Sequence, residues 1–526
     1  MTCNLKDRWI QSISETSNYA SLLDFIRDDE WDDALNQTID FGTGGMRGKL
    51  GPGFNRINHF TIRKVAYAYA QTLNPNDTII IGYDTRHFSY EFALECAKVL
   101  THHNIHVKVF KNPRPTPECS YAIRHFSAQG GIMITASHNP KTDNGIKLYD
   151  ENGCQLIPSR VTTIQDEISK IEDIFSLKTD DDGKNITWIS ETLDEAYIQL
   201  IKNIFYTKQE TNLSILYTPL HGTGYPVIPK VLNSTYVHVD TVEAQTEYDP
   251  NFTHTKSMNP EKRDSFELAL TKSDNHDLIL ATDPDCDRLG VMVRHNNRYH
   301  FLTGNQLGIL FLDYVARHSF KKTIINTIVT TDFTKKLIET YRLQHIQTLT
   351  GFKYIGDIIE KLPKDTFLFG FEESHGYLFD GSVRDKDAVQ ASHVLIEMTQ
   401  FYKSKQQTLI DVLEDLTSQY GPWYDHQTSY PLSTDKINTL MNLLRKQPHS
   451  VFKTYPITKI IDYYDSSKTH LPKENVLKIY FENSWIVIRP SGTEPLCKVY
   501  YYTKDENVLI DLLSEVESLF KMSING

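Results

Sequence analysis

The sequence predicts a multidomain α/β protein with largely parallel sheets, and three observations carry that reading. Short β-rich runs alternate with amphipathic segments, the order of strand–helix–strand units. Loops dense in polar side chains follow several of the apolar runs. At 526 residues the chain exceeds what one hydrophobic core organises, so three or four domains are expected.

Taken in order, residues 78–82 read as a strand, residues 90–100 carry apolar side chains at helical spacing, and residues 107–110 read as the next strand. The same alternation recurs at 278–281 and at 323–329. The polar run 178–184 reads as a surface connection and sets a boundary near residue 185. The turn-rich segment 295–298, before a helical stretch opening near Gly304, sets a second near 300. Gly421-Pro-Trp-Tyr424 ends a helix and opens a smaller last unit. The expected units are 1–185, 186–300, 301–422 and 423–526, the first three variants of one architecture.

Composition narrows the function classes. The hydrophobic fraction of 40% and charged fraction of 23% are those of a globular protein. Lys and Arg total 55 against 67 Asp and Glu, a net charge of −12, which argues against nucleic-acid or anionic-membrane partners while leaving room for a local basic pocket. Six scattered cysteines without a CxxC pair fit free thiols in a reducing compartment. No signal-peptide pattern and no apolar run of the ~20 residues needed to span a bilayer are present. A soluble, cytoplasmic protein is expected.

The chemistry concentrates in five loops. Gly131-Ile-Met-Ile-Thr-Ala-Ser-His-Asn-Pro140 sets Ser137 on a tight turn directly after an apolar run. Such a segment can be an ordinary strand end, but a hydroxyl placed there is open to a ligand and is a candidate covalent acceptor. His138 is its neighbour, and because adjacent side chains rarely point correctly for proton transfer, an orienting role is expected of it. Lys147 closes the same region and could point toward the serine. In Asp283-Pro-Asp-Cys-Asp-Arg288, three carboxylates alternate along one turn, which their mutual repulsion disfavours unless a cation or several donors face them. All-oxygen ligands suit a hard divalent ion, with Mg²⁺ the fit for phosphoryl transfer. The loop is taken to lie at the surface, with Arg288 able to meet a phosphate.

Gly370-Phe-Glu-Glu-Ser-His-Gly376 offers Glu372 and Ser374 to neighbouring sugar hydroxyls, with Glu373 or His375 free to face solvent. Arg489-Pro-Ser-Gly-Thr493 combines a guanidinium, two hydroxyls at Ser491 and Thr493, and Gly492 for close backbone approach. That is an anion cradle in what also reads as a hairpin turn. Phe41-Gly-Thr-Gly-Gly-Met-Arg-Gly48 misses the P-loop pattern, which excludes an ATP-binding Walker loop but keeps Arg47 as a candidate beside the serine.

At these residues the chain resembles the α-D-phosphohexomutase superfamily over nearly its whole length, with the four loops in the family's order. The resemblance implies four domains around a central cleft, three α/β/α sandwiches and a smaller C-terminal α+β domain similar to the TATA-binding-protein fold. It implies Ser137 as the phosphoserine, and Asp283, Asp285 and Asp287 with Ser137 as the Mg²⁺ site. Glu372 and Ser374 would be sugar readers, and Arg489, Ser491, Gly492 and Thr493 the distal phosphate site. Arg47, Lys147, Arg288 and Lys386 fall where the family carries basic residues. Pro284 stands where the common metal loop has glycine. With Cys286 and the segment Thr350-Gly-Phe-Lys-Tyr-Ile355, that resembles the branch holding bacterial α-phosphoglucomutases and animal phosphopentomutase-like enzymes, with Thr350 and Gly351 at the substrate.

The implied activity is interconversion of glucose 1-phosphate and glucose 6-phosphate, with glucose 1,6-bisphosphate as intermediate and activator, by a monomer or weak homodimer. Pentose and mannose phosphates remain alternative substrates. The general acid/base is left unassigned. Two readings from other classes also stand: a metal-dependent phosphatase, which would release free phosphate, and a non-catalytic sugar-phosphate sensor.

Overall fold

The computed structural model describes residues 2–525 except 43, 180–185, 466, 468 and 492–495. Most of the expected connection at 178–184, and Gly492 and Thr493 of the phosphate loop, therefore lie outside the described residues. The chain forms two compact units, residues 1–323 with 352–408, and residues 324–351 with 409–526.

The first unit opens with a six-stranded sheet in the order Gly45–Lys49, Asp143–Tyr149, Gly130–Ile134, Thr78–Tyr83, His106–Phe110, Ile186–Ile189. Thr78–Tyr83 is central, parallel to both neighbours, and buries Ile79, Ile80 and Ile81 completely. Continuous apolar runs are what a parallel strand covered on both faces requires. The helices Ser89–His102 and Thr116–His125 supply the crossovers. Ile186–Ile189 runs parallel to His106–Phe110, so this sheet reaches past residue 185.

A second sheet follows in the order Arg298–Leu302, Leu289–His295, Leu278–Thr282, Leu213–Thr218, Val237–Thr241. Its antiparallel edge is a two-residue hairpin in which Asn296 and Asn297 take φ of 48° and 60°, the turn that Asn-Asn favours. Residues 298–302 thus belong to this sheet. The helix Gly304–His318 starts at a capping box in which Thr303 accepts from Gln306 N. The antiparallel pair Phe367–Glu372 and Gly376–Leu378 and the helix Ala388–Lys403, capped by Asp387, complete the unit.

In the second unit, five antiparallel strands run in the order Tyr424–Pro431, Leu496–Thr503, Ser484–Pro490, Leu477–Tyr480, Lys459–Asp462. The helices Thr434–Lys446 and Glu506–Asn525 close a core of Leu440, Leu444, Ile486, Ile488, Val499, Leu512 and Phe520. This is the α+β arrangement expected at the C-terminal end. Of the six cysteines, Cys96, Cys119, Cys154, Cys286 and Cys497 are free and buried, and no helix among the described residues is long and apolar enough to cross a membrane.

Lys478 is an exception within this second core. Its side chain is 1% exposed, donates to the Ile328 carbonyl at 2.7 Å and lies 3.8 Å from the Trp485 ring centroid. Burial pushes its ammonium down to about 7. The unfolded chain therefore binds a proton between pH 7 and about 10.5 that the folded chain refuses, so this group's penalty is complete below pH 7 and disappears above pH 10.5. Lys478→Met is expected to raise the thermal midpoint over wild type at pH 7, with the gain shrinking toward pH 10. A constant gain across that range would remove the assignment.

Candidate active site

The serine and aspartate loops of the first unit leave the C-terminal ends of interior strands, where ligands bind in open α/β sheets. Gly130–Ile134 ends in the turn that carries Ser137, which is 1% exposed with φ of 53°, a left-handed backbone unusual for a residue with a Cβ. The second sheet delivers the aspartate loop from the end of Leu278–Thr282. It is supported by the turn at 219–224, where Thr223 donates to the Pro284 carbonyl through both N and Oγ1, at 2.8 and 2.9 Å. A Cβ at Gly222 would lie 2.7 Å from Pro284 Cα, so only glycine permits this packing.

The two loops meet. Ser137 Oγ donates to Asp283 Oδ2 at 2.9 Å, and Asp283 Oδ1 accepts from the backbone N–H groups of Asp287 and Arg288. Lys147 donates to Asp285 Oδ2 at 2.7 Å and to Asp287 Oδ2 at 3.1 Å, and Lys386 pairs with Asp287 Oδ2 at 2.9 Å. Thr116 Oγ1 also donates to Asp285 Oδ2. The expectation of a surface loop is overturned: Asp283, Asp285 and Asp287 are 0%, 0% and 1% exposed. Two lysine ammonium groups from distant parts of the chain neutralise much of the repulsion that had pointed to solvent.

The electrostatics follow from that geometry. Burial, then Asp287 and Asp285, hold the Asp283 carboxyl well above the usual carboxylate range. Burial also opposes charge on Asp285, yet Lys147 outweighs it and keeps that carboxylate well below the usual range. Burial likewise works against the Lys147 and Lys386 ammonium groups, but the aspartates raise both. Asp385, held low by Lys386 and Lys147 despite burial, accepts from Tyr149 OH at 2.9 Å.

Each aspartate of the triad offers an oxygen within 4.8 Å of the others, while Asp285 Oδ1 and Asp287 Oδ1 are buried and accept no hydrogen bond from the described residues. A buried carboxylate oxygen without a donor is costly unless a cation faces it. The donor set fits Mg²⁺, a hard ion taking oxygen ligands.

His138 departs from its expectation in part: its Nδ1 lies 3.1 Å from Ser137 Oγ, within hydrogen-bond reach despite being adjacent in sequence. Arg47 pairs across the sheet with Gly145, and its charge acts on Lys147 and Asp285. Arg288 forms an ion pair with Glu261. Glu372 ends its strand at 7% exposure, close enough to act on the Lys386 charge. His375 does not face solvent: it is buried, its Nδ1 stands 3.1 Å from the Leu289 carbonyl, and its own carbonyl accepts from Leu289 N. Burial pushes its imidazole down to about 4. Those contacts seat the Glu372–Ser374 loop on the residue that follows Arg288.

In the second unit, Thr350 is buried with Oγ1 making no hydrogen bond to the described residues, and Gly351 has φ of 118°. Arg489, next to last in the strand Ser484–Pro490, has Nε 3.2 Å from Glu474 Oε1, and Ser491 N donates to the Leu496 carbonyl. Sequence reading missed Arg86, Thr116, Thr135 and Asp385, all bonded to the serine or aspartate loops or to their lysines. Arg86 and Thr116 do follow strand ends, a positional signal that was available.

Comparison with known proteins shows the family. The sequence patterns of phosphoglucomutase/phosphomannomutase α/β/α domains I, II and III match residues 38–174, 195–296 and 303–420, and that of the C-terminal domain matches 444–518. The chain therefore has three α/β/α domains and a smaller C-terminal one. A phosphoglucomutase of Staphylococcus haemolyticus is 35% identical over 534 residues, covering 96% of this chain and 97% of that protein. A phosphoglucomutase/phosphomannomutase family protein of Burkholderia thailandensis shares the fold with a TM-score of 0.71 at 16% identity, covering 92% of this chain and 98% of the other. An N-acetylphosphoglucosamine mutase of Aspergillus fumigatus, solved with GlcNAc-6P and magnesium, shares it with a TM-score of 0.55 at 14% identity, over 98% of both chains. The chain belongs to the phosphoglucomutase/phosphomannomutase family of α-D-phosphohexomutases.

Proposed function

We propose that the protein interconverts glucose 1-phosphate and glucose 6-phosphate, with Ser137 carrying the phosphoryl group between two half-reactions. The observation that carries this reading is the Ser137 hydroxyl 2.9 Å from Asp283, beside buried carboxylates two of whose oxygens accept no hydrogen bond from the described residues. In the first half-reaction the P–Oγ bond of phosphoSer137 breaks as a P–O bond forms to the free sugar hydroxyl. The proton of that hydroxyl passes to the departing Ser137 oxygen, and the 1,6-bisphosphate results. In the second, the other phosphate returns to Ser137 Oγ, whose proton passes to the sugar oxygen. No water is consumed.

Within this scheme Asp283 accepts the hydrogen bond that fixes the serine oxygen, and His138 Nδ1 orients it from the other side. Lys147, Lys386 and Arg47 supply fixed positive charge, which phosphoryl transfer needs because positioning and electrostatics provide most of its catalysis. Glu372 and Ser374 read the sugar hydroxyls, with Arg288, Thr350 and Gly351 at the substrate. Arg489, Ser491, Gly492 and Thr493 hold the phosphate that is not transferring. Mg²⁺ held by Asp283, Asp285, Asp287 and the Ser137 oxygen would offset charge on the transferring oxygens. The magnesium and sugar phosphate bound by the Aspergillus mutase support this choice. Action as a cytoplasmic monomer or weak homodimer completes the reading.

Intact-mass spectrometry tests it. One phosphate on the purified protein, lost from Ser137Ala and removed from wild type by glucose 1-phosphate, is the expected result. A panel of glucose, mannose, ribose and glucosamine phosphates sets the substrate, and higher kcat/KM on ribose 1-phosphate would replace glucose by pentose. Release of free phosphate would point instead to a phosphatase. Dialysis against EDTA is expected to abolish turnover and Mg²⁺ to restore it. Full activity in EDTA defeats the metal assignment.

A further inference from the structure

We infer that Arg86 and Thr135 are positioning residues that clamp Ser137 from both sides of its backbone in the left-handed conformation. Thr135 Oγ1 accepts from Ser137 N at 2.8 Å. Arg86 takes the other side, donating through Nη2 to the carbonyls of Ser137 at 2.5 Å and Asn139 at 2.7 Å. Through Nη1 it donates to those of Pro140 at 2.8 Å and Asp143 at 3.1 Å. One buried guanidinium thus satisfies four carbonyls of the turn that presents the serine. A lysine, with a point charge and no planar fork, cannot reproduce that pattern.

Arg86 is itself fixed. Its side chain is fully buried, with Nε 3.3 Å from Asp84 Oδ2, while Asp84 Oδ1 accepts from Arg86 N at 3.0 Å and from Ser89 Oγ at 2.6 Å. The guanidinium also lies 5.3 Å from the Phe252 ring, which belongs to the second sheet's surroundings. Neither residue touches the reacting atoms. Their effect runs through the serine backbone, whose φ of 53° a residue with a Cβ adopts only when its surroundings hold it there. A serine released to an ordinary backbone would swing Oγ off the line of phosphoryl transfer, and misplacement by about 1 Å costs ~100-fold.

The inference rests on Ser137 as the phosphoryl carrier, and the experiment separates the two. Arg86→Lys and Thr135→Val are compared with wild type for steady-state kinetics on glucose 1-phosphate, for single-turnover loss of the Ser137 phosphate by intact mass, and by crystal structures. Each variant is expected to lower kcat and the single-turnover rate by about 30-fold or more, with KM within about 3-fold, and to lose the positive φ at residue 137. Variants that keep wild-type kcat, or that lose activity only in proportion to folded protein, overturn the clamp while leaving the phosphoserine reading intact. If Arg86→Lys does not fold, Thr135→Val decides alone. A wild type that never carries phosphate overturns the proposed function, and the clamp is then judged on φ at residue 137 in the variant structures. A positive φ retained there overturns it.

Discussion

Ser137→Ala is expected to lower kcat by at least ~10⁴-fold while leaving the fold intact. The whole loss falls on chemistry because the hydroxyl is the only group of this turn that can form and break the P–O bond. Its structural share is two hydrogen-bond contacts, with Asp283 and with His138 Nδ1, whose loss costs on the order of 1 kcal/mol each. A coupled assay and a thermal midpoint, measured on one preparation, separate the two quantities. Residual turnover above a few percent of wild type would mean that another residue carries the phosphoryl group.

Lys147→Met is expected to cost activity and stability together. The ammonium bridges Asp285 and Asp287 with 3% of its side chain exposed. Its removal leaves Asp285 with Thr116, and Asp287 with Lys386 and, at 3.9 Å, Arg288, as short-range partners among the described residues. Stranding one member of a buried ion pair typically costs about 3–5 kcal/mol. A divalent cation added to the variant should recover part of this, because an ion bound only by the folded state stabilises it by mass action. The expected observation is a larger Mg²⁺-dependent rise in thermal midpoint for Lys147→Met than for wild type. Equal rises, or a variant as stable as wild type without Mg²⁺, would show that the lysine and the ion do not share the same carboxylates.

Much of the fold was legible because its central strands are buried on both faces and read as unbroken apolar runs: 78–82 became Thr78–Tyr83, and 278–281 became Leu278–Thr282. The reactive loops were legible because their residue types have few other uses at such density. What failed was burial. An acidic turn reads as solvated, and nothing local to residues 283–287 announces that lysines at 147 and 386 will cover it. His375 was left free to face solvent for the same reason, since its partner is a backbone carbonyl at Leu289. Thr116 was missed because the oxygen it serves lies 169 residues away. Local pattern reveals which side chains carry chemistry; which ones hold them in place is a tertiary property.

The ion pairs between Lys147 and the aspartates also impose an order on biosynthesis. Lys147 leaves the ribosome 138 residues before Asp285, and Lys386 emerges only after both. A nascent chain that has reached the end of its first sheet therefore carries Lys147 and Ser137 without the aspartates that meet them in the finished protein. At a synthesis rate of about 5–20 residues per second, that interval lasts on the order of ten seconds. During it the serine lacks Asp283 and the rest of the acidic triad, so the serine loop is made well before the side chains that fix it in the finished chain.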